Sequence, residues 1–403
     1  MEGIISPVRA SPFRYDYKRQ SLNKNGHRMK DQPKDPIIEQ IKADCNEVEQ
    51  NVINRRNFLQ DTTKNILATS IAASTVTTIS NLAYTQTNKQ IEIDEEPPIP
   101  VVEAMSDSVW KEGVLAPQVV GDMIEQAMTK LTGRESAKEA WKDFVLPDDI
   151  VAIKINPIGG KNFSTHSIII DKIVEGLYGA GVLKNQIIVW DRFEKHLANA
   201  GYKINQNNND VQYFASDSEG IGYDETVFYE TENDIEIRRE GQSTRSNYSK
   251  ILTNIASVII NIPVMKHHAI TGVSGCLKNI TFGGVDNTRR FHSNPLNCDP
   301  AVSEIFAHKV IKDKLVLNIV DGLLAGFNGG PTYDPNGVWK HGRILVSTDP
   351  VILDQIVLDT IDEKRTEMGL SSIKTIAKHI RSASKAELGT NNLDNAELRD
   401  IKI

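Results

Sequence analysis

Cysteine is scarce in this chain of 403 residues: Cys45, Cys276 and Cys298 are the only three, and no two stand in a Cys-x-x-Cys pair. That excludes zinc ribbons and ferredoxin-type runs, so no iron–sulfur cluster is expected in the chain. Aromatic residues make up only 6%, a poor supply for stacking single-stranded nucleic acid. No stretch offers the ~20 mostly apolar residues of a stable membrane span. Familiar motifs are missing too. There is no Gly-x-Gly-x-x-Gly and no His-Glu-x-x-His, and Gly159-Gly160-Lys161 lacks the Walker spacing. In Gly272-Val273-Ser274-Gly275-Cys276 a cysteine occupies the last glycine of a nucleophile elbow. What remains, 39% hydrophobic and 25% charged residues, is ordinary globular composition sufficient for one large domain or two.

Charge is unevenly distributed. Residues 1–64 hold 12 Lys/Arg against 9 Asp/Glu, while the rest holds 34 against 44, a net −10. An acidic body of this kind is a poor non-specific partner for nucleic acid or anionic lipid. Residues 1–53 are polar, proline-bearing and of mixed charge, a composition read as disordered. Asn54-Arg55-Arg56-Asn57-Phe58-Leu59-Gln60 then precedes an uncharged, modestly apolar run ending near Ala83. An arginine pair followed by such a run has the layout of a twin-arginine export signal over 54–84, which makes that translocation machinery a partner and the periplasm, or another exported location, the destination. Residues 85–100 read as a linker. In an oxidising compartment Cys276 and Cys298 are either a bridge or two buried thiols.

From residue 101 helical and strand patterns alternate. Short Val/Ile/Leu runs at 150–155, 186–191, 256–262, 315–320 and 343–347 are separated by amphipathic stretches such as 120–131, 168–180 and 301–311. Gly181 marks a helix stop, and Asp349-Pro350 a helix start. Further along, 371–386 reads as helix and 398–403 as a last strand. Continuous apolar strands suit burial on both faces, so the expected fold is a three-layer α/β domain over 101–403, with a mostly parallel sheet and helices on both sides. Residues 202–250, rich in Asn, Asp, Ser and Tyr, are expected to form a polar β insertion.

Ligands of open parallel sheets sit beyond the carboxyl ends of the strands. Lys154 and Asn156, Asp191, and Asp321-Gly322 fall at such ends. The richest segment follows the 256–262 strand: Lys266, His267, His268, Thr271, Gly272, Ser274, Lys278 and Asn279, continuing to Arg289, Arg290 and His292. Between Asn261 and His292 four basic residues face one acid, Asp286, a local excess of positive charge in an acidic body. Glycine-bared amides, hydroxyls and cations together suit a carboxylate or phosphate. Lys154, Asn156, Lys266, Thr271, Gly272, Ser274 and Asn279 are therefore the expected ligand-binding residues. His268, His292, Lys278 and Asp321 are the expected catalytic ones. His268, His292 and Asp321 also form a candidate divalent-metal set. Simple charge pairing is the expected role of Lys266 and Lys278; either, if desolvated, would serve instead as a base or Schiff-base amine. Asp349 is read as a helix cap, and Asp354 as facing solvent or a neighbouring loop, with a supporting position behind the site as its alternative.

Residues 263–279 (PVMKHHAITGVSGCLKN), with His292, Asp321-Gly322 and the run from Asp349-Pro350 to Asp354, resemble the DUF362 family over roughly residues 100–403. Lys266, His268, Thr271, Gly272, Lys278 and Asn279 fall on the family pattern, and Lys154 and Asn156 match its early Lys-x-Asn strand end. Ser274 stands where Thr is usual and Cys276 where a small residue is usual. The resemblance implies a fold and a site rather than a reaction. Some members of the family carry an added iron–sulfur domain, for which this chain has no cysteines, and some carry twin-arginine signals. Two readings stay open. One is an exported enzyme acting on a small carboxylated or phosphorylated metabolite. The other is a non-catalytic binding or maturation factor for exported redox proteins.

Overall fold

The computed structural model describes residues 97–231, 243–292 and 296–403. The expected polar N-terminal region, the signal segment 54–84 and most of the linker lie outside the described residues. In chain order the elements are β1 (Ile99–Met105), β2 (Trp110–Lys111), β3 (Val114–Leu115), α1 (Pro117–Thr132), α2 (Ala137–Lys142), β4 (Val151–Ile155), α3 (Ser167–Ala180), β5 (Ile187–Asp191), α4 (Glu194–Ala200), β6 (Gln212–Ala215), β7 (Tyr223–Tyr229) and β8 (Ser246–Ser249). They continue with β9 (Val258–Ile262), β10 (Val264–His268), β11 (Gly272–Val273), α5 (Gly275–Thr281), α6 (Ala301–Ala307), α7 (Lys309–Lys312), β12 (Leu315–Gly326), β13 (Val338–Ser347), α8 (Pro350–Glu367), α9 (Lys378–Lys385) and β14 (Ala396–Lys402).

The apolar runs pair as a continuous-burial pattern requires. The main sheet runs β14-β1-β13-β12-β9-β4-β5-β6, with β10 joined to β12 and β11 to β10. Every pairing in the path is parallel except those of β13 with β1 and with β12. Side chains alternate between two cores. Ala152, Ile259, Val320 and Leu345 pack with α5, α6, α8 and α9 on one face. Val151, Ile153, Ile260, Ile319 and Ile344 pack with α1, α2 and α3 on the other. The result is the expected three-layer α/β architecture.

Helix ends follow the local chemistry. Gly181 ends α3 in the left-handed region at φ 108°. Asp349 caps α8, accepting from Val351 N at 2.7 Å and Ile352 N at 3.1 Å, and Pro350 takes the first helical position. Differences from expectation are local. The 301–311 helix is broken at His308 into α6 and α7, and the 371–386 helix shortens to α9. Within 202–250, β6 joins the main sheet as an edge strand while β7 and β8 form a separate antiparallel pair. No helix among the described residues is long and apolar enough to cross a membrane.

Candidate functional site

The carboxyl ends of β4, β5 and β9, together with β10 and α5, meet in a chain of buried polar groups. Lys154 is the next-to-last residue of β4 and shares the face of Ala152. Its Nζ donates to Asp191 Oδ1 at 2.6 Å and to Ile155 O at 2.6 Å, with Asn279 Oδ1 at 3.4 Å. Asn279 on α5 accepts from Asn156 Nδ2 at 3.0 Å and donates to Asn261 Oδ1 at 2.8 Å. Asn261 passes the chain inward, donating to Asn318 Oδ1 at 2.9 Å and to Cys276 O at 3.0 Å. Asn156 Oδ1 accepts from Lys266 Nζ at 2.7 Å. A lock behind the turn fixes Asn156: its amide donates to Thr165 Oγ1 at 2.9 Å, and that hydroxyl donates to Ile262 O at 2.9 Å. Gly283 is needed here, because a Cβ would collide with the Lys154 side chain and Asn279 O.

The three lysines differ in their partners. Burial pulls Lys154 down against the pull of Asp191, while Asp191, although buried, is held below the carboxylate range by the Lys154 ammonium. Lys266 is fully buried, with Phe163 at 5.5 Å and no ion pair to a described residue. Burial pushes it down to about 7; Asp191 opposes this, and the nearby charges of Lys278 and Lys154 add to it. Lys278 is 8% exposed and likewise lacks a carboxylate among the described residues. Its Nζ lies 2.9 Å from His268 Nε2 and 3.2 Å from His292 Nε2, and burial pushes it down to about 8. Burial also lowers His268 far below the usual imidazole range and His292 to about 4, each helped by the Lys278 charge. Asn156, Asp191 and Lys278 each keep a sliver of exposure, which marks where the cluster meets solvent.

The glycine-rich turn is more self-contained than its composition promises. Thr271 donates its hydroxyl to Val273 O at 2.9 Å and its amide to His268 Nδ1 at 3.3 Å. Ser274 N is taken by Lys266 O at 3.0 Å. Gly272, at φ 77°, packs against Ala377 and Ile373 O. The first amides of α5 are occupied as well. Asp354 does not face solvent or a loop: it is fully buried and accepts from Cys276 N and from Leu277 N, the latter at 3.0 Å. Burial raises its carboxyl to about 7, against those two hydrogen bonds. The expected bare-amide cradle of Thr271, Gly272 and Ser274 is thus committed to the fold, and the cationic part of the site remains.

The His268–His292–Asp321 set is not assembled. Asp321 has the strand parity of Ile319, so its carboxylate belongs to the face covered by α1–α3, away from the side of Lys154, Asn261 and Asn318. There it accepts from His166 Nδ1 and His166 N, both at 2.8 Å, and from Leu323 N at 3.2 Å. No group of three or more His, Cys, Asp or Glu among the described residues is placed to hold a metal ion. Cys276 and Cys298 are both buried and free, the arrangement of the second alternative, two buried thiols. Cys298 lies near enough to Lys278 for their charges to interact.

Four participants carry no expectation from the sequence. Asn261 and Asn318 extend the polar chain into the sheet. Arg192 Nη1 donates to Thr288 Oγ1 at 2.7 Å and its charge reaches His292. His379, on α9, is fully buried, feels the Lys278 charge, and has neither ring nitrogen hydrogen-bonded to a described residue. Asn261 and Asn318 share the parity of Lys154 on neighbouring parallel strands, a signal the sequence did carry. For His379 there was none.

Fold and cluster together define a three-layer α/β protein with a lysine–histidine site at the carboxyl edge of its parallel strands. The chain belongs to the family described as a domain of unknown function, DUF362, whose model matches residues 151–359, just over half of the sequence. Among curated proteins none matches. A crystal structure of a protein from Thermotoga maritima is similar at 12% identity and a TM-score of 0.36, covering 63% of this chain and 59% of that one. The chain therefore spans less than two thirds of that protein's length.

Proposed function

We propose that this DUF362 protein is exported by the twin-arginine route and acts as an enzyme on a small anionic metabolite, carboxylated or phosphorylated. The observation that carries the reading is Lys266, a fully buried amine at the strand edge with no ion pair to a described residue, with the amine of Lys278 close enough to act on its charge. Burying an uncompensated cation is costly, and folds retain it where a ligand supplies the missing charge. Lys266, steadied by Asn156, holds the anion. Arg192 adds positive potential at the rim. His268 and His292 move protons at Lys278. Lys154, Asp191, Asn279 and Asn261 hold the frame. Export rests on Arg55-Arg56 and the run that follows them.

A thermal-shift screen of inorganic phosphate and simple mono- and dicarboxylates, with elemental analysis of the purified protein, tests the site. Stabilisation by at least one anion class, abolished in Lys266→Met, is expected; no shift from any of them refutes the reading. Substituting His268 or His292 separates an enzyme from a binding factor. Turnover falls with affinity retained in the first case, and affinity alone changes in the second. Replacing Arg55-Arg56 with two lysines should strand the protein in the cytoplasm, and normal export of that variant refutes the export half.

A further inference from the structure

The hydrogen bonds around Lys278 favour one protonation state, in the same direction as the burial that lowers its amine to about 8. His268 Nδ1 accepts two backbone amides, from Ile270 at 3.2 Å and Thr271 at 3.3 Å, so the proton of the neutral ring sits on Nε2. That Nε2–H points at Lys278 Nζ, 2.9 Å away. His292 shows the opposite tautomer. Its Nδ1 lies 3.0 Å from Thr288 O, which can only accept, so Nδ1 carries the proton and Nε2 offers a lone pair to Lys278 at 3.2 Å. An ammonium has three donors and no acceptor and cannot receive the His268 proton. A neutral amine fits both contacts: it accepts from His268, donates one hydrogen to His292 and keeps a second. The Phe282 ring lies 5.3 Å away, and Cys298 is near enough for a thiolate to favour an ammonium, but burial holds that thiol up at about 11 and so protonated, and no carboxylate among the described residues pairs with Lys278. The frame is stiff, since α5, which carries Lys278, is pinned through the amides of Cys276 and Leu277 by Asp354.

A buried, neutral, oriented primary amine beside a cationic anion-holding group is the equipment for condensing with the carbonyl of an oxo acid. We propose that Lys278 is a nucleophile that forms an imine with a small anionic carbonyl compound, an oxo carboxylic acid, whose carboxylate is held by Lys266. This rests on the anion-site reading above and names its substrate class. In the first step the amine lone pair bonds to the carbonyl carbon, the C=O π pair moves to oxygen, and one amine proton passes through His292 Nε2 to that oxygen, giving a carbinolamine. In the second, the remaining N–H proton follows the same path, the C–O bond breaks and water leaves, giving the C=N bond. The His268 Nε2–H, released from the amine lone pair, donates a hydrogen bond to the departing oxygen. One amine and one carbonyl give one imine and one water, and nothing is oxidised or reduced.

The test is reductive trapping on the full-length chain. The protein is incubated with pyruvate and sodium cyanoborohydride, and the labelled lysine is located by peptide mass mapping. One reduced adduct per chain, on Lys278, dependent on the reductant and lost in Lys278→Met, is expected. Acetaldehyde, which lacks the carboxylate, should label Lys278 severalfold more slowly, and Lys266→Met should slow labelling by pyruvate. Labelling of Lys278 no faster than that of exposed Lys402 overturns the proposal, and equal rates with acetaldehyde overturn its oxo-acid half. Failure of the anion reading looks different: neither pyruvate nor phosphate then shifts the melting temperature. A clear shift by pyruvate with Lys278 unlabelled leaves the anion site standing and removes the imine.

Discussion

Replacing Lys266 with methionine should make this protein more stable, and the gain should depend on pH in a defined direction. Lys266 is fully buried, and its amine donates to a neutral amide oxygen, Asn156 Oδ1 at 2.7 Å. Its amine is displaced from 10.5 to about 7, which at about 1.4 kcal/mol per tenfold corresponds to roughly 5 kcal/mol of stability withheld while the group is protonated in both states. The full cost applies below pH 7. Between about 7 and 10.5 the folded chain releases the proton before the unfolded chain does, so wild-type stability from this group rises with pH. Above that range the cost is gone.

Methionine has a similar volume and carries no charge. The substitution leaves Asn156 Oδ1 without its partner, a loss of about 1–3 kcal/mol that is softened because Asn156 reaches the solvent edge. The net gain at pH 6 should be on the order of 2–4 kcal/mol, shrinking to nothing or to a small loss near pH 10. Urea unfolding followed by the fluorescence of buried Trp141 and Trp190 reads this directly, provided the denaturant slope is unchanged. A methionine variant that is less stable at pH 6, or whose difference from wild type does not move with pH, would show that Lys266 is not an uncompensated buried cation. The same variant should lose anion-induced stabilisation, so a residue that opposes folding is one the ligand needs.

The remaining predictions concern the supports around the site. Asp354→Ala should cost about 1–3 kcal/mol by freeing the amides of Cys276 and Leu277. Because burial raises the Asp354 carboxyl from 3.8 to about 7, the folded chain holds this proton longer than the unfolded chain, so wild-type stability should fall across that window; urea midpoints of Asp354→Asn should lack this component. His166→Ala should cost about 3 kcal/mol, since it strips a partner from the fully buried Asp321. Asp321 raises the His166 imidazole against the opposing effect of burial. The deficit should therefore be full below pH 6.5 and shrink as pH climbs through the folded value, and a pH-independent deficit in urea titrations would reject the pairing. In a chain with Cys45 changed to Ser, Cys276 and Cys298 should resist thiol reagents until urea unfolds the protein, since burial pushes Cys276 well above 9 and Cys298 to about 11.

The layered fold and the lysine positions were legible because they depend on local rules. Continuous apolar strands demand cover on both faces, and residues just past a parallel strand end lie at the ligand edge. Lys154 and Asn156 follow from these, while Lys266, Lys278 and Asn279 came from the basic, glycine-rich composition of the segment after the 256–262 run. What sequence order hides is which face a strand residue takes in the assembled sheet. Asp321 sits at a strand end among glycines and satisfies the edge rule, yet its parity sends it to His166. Asp354 looked like a surface position because α8 carries acids along its length, but it is the one turned toward α5. Glycine-rich composition misled for a related reason: Gly275 lacks a Cβ because the Asp354 carboxylate occupies that space, so the bared amide was already spoken for.

The contrast among the three lysines follows from register. Lys154 stands opposite Trp190 on β5, so the next residue, Asp191, is carried to the ammonium by the parallel pairing itself. Lys266 has no such neighbour. After Pro263 the chain leaves β9 and continues as β10 beside β12, where Val264 stands opposite Asp321 and Lys266 opposite Gly326. The acid on β12 points to the far face and the position beside the lysine is a glycine. Lys278 lies on a helix whose carboxylate contact, Asp354, is spent on backbone amides at its start. A fold that neutralises one lysine by strand register, and places an acid one pairing away from another without using it, can neutralise buried amines. Leaving two of them without a carboxylate, one on Asn156 and the other between histidines of opposite tautomer, is therefore a property of this edge, and that departure from local consistency is where chemistry is expected to reside.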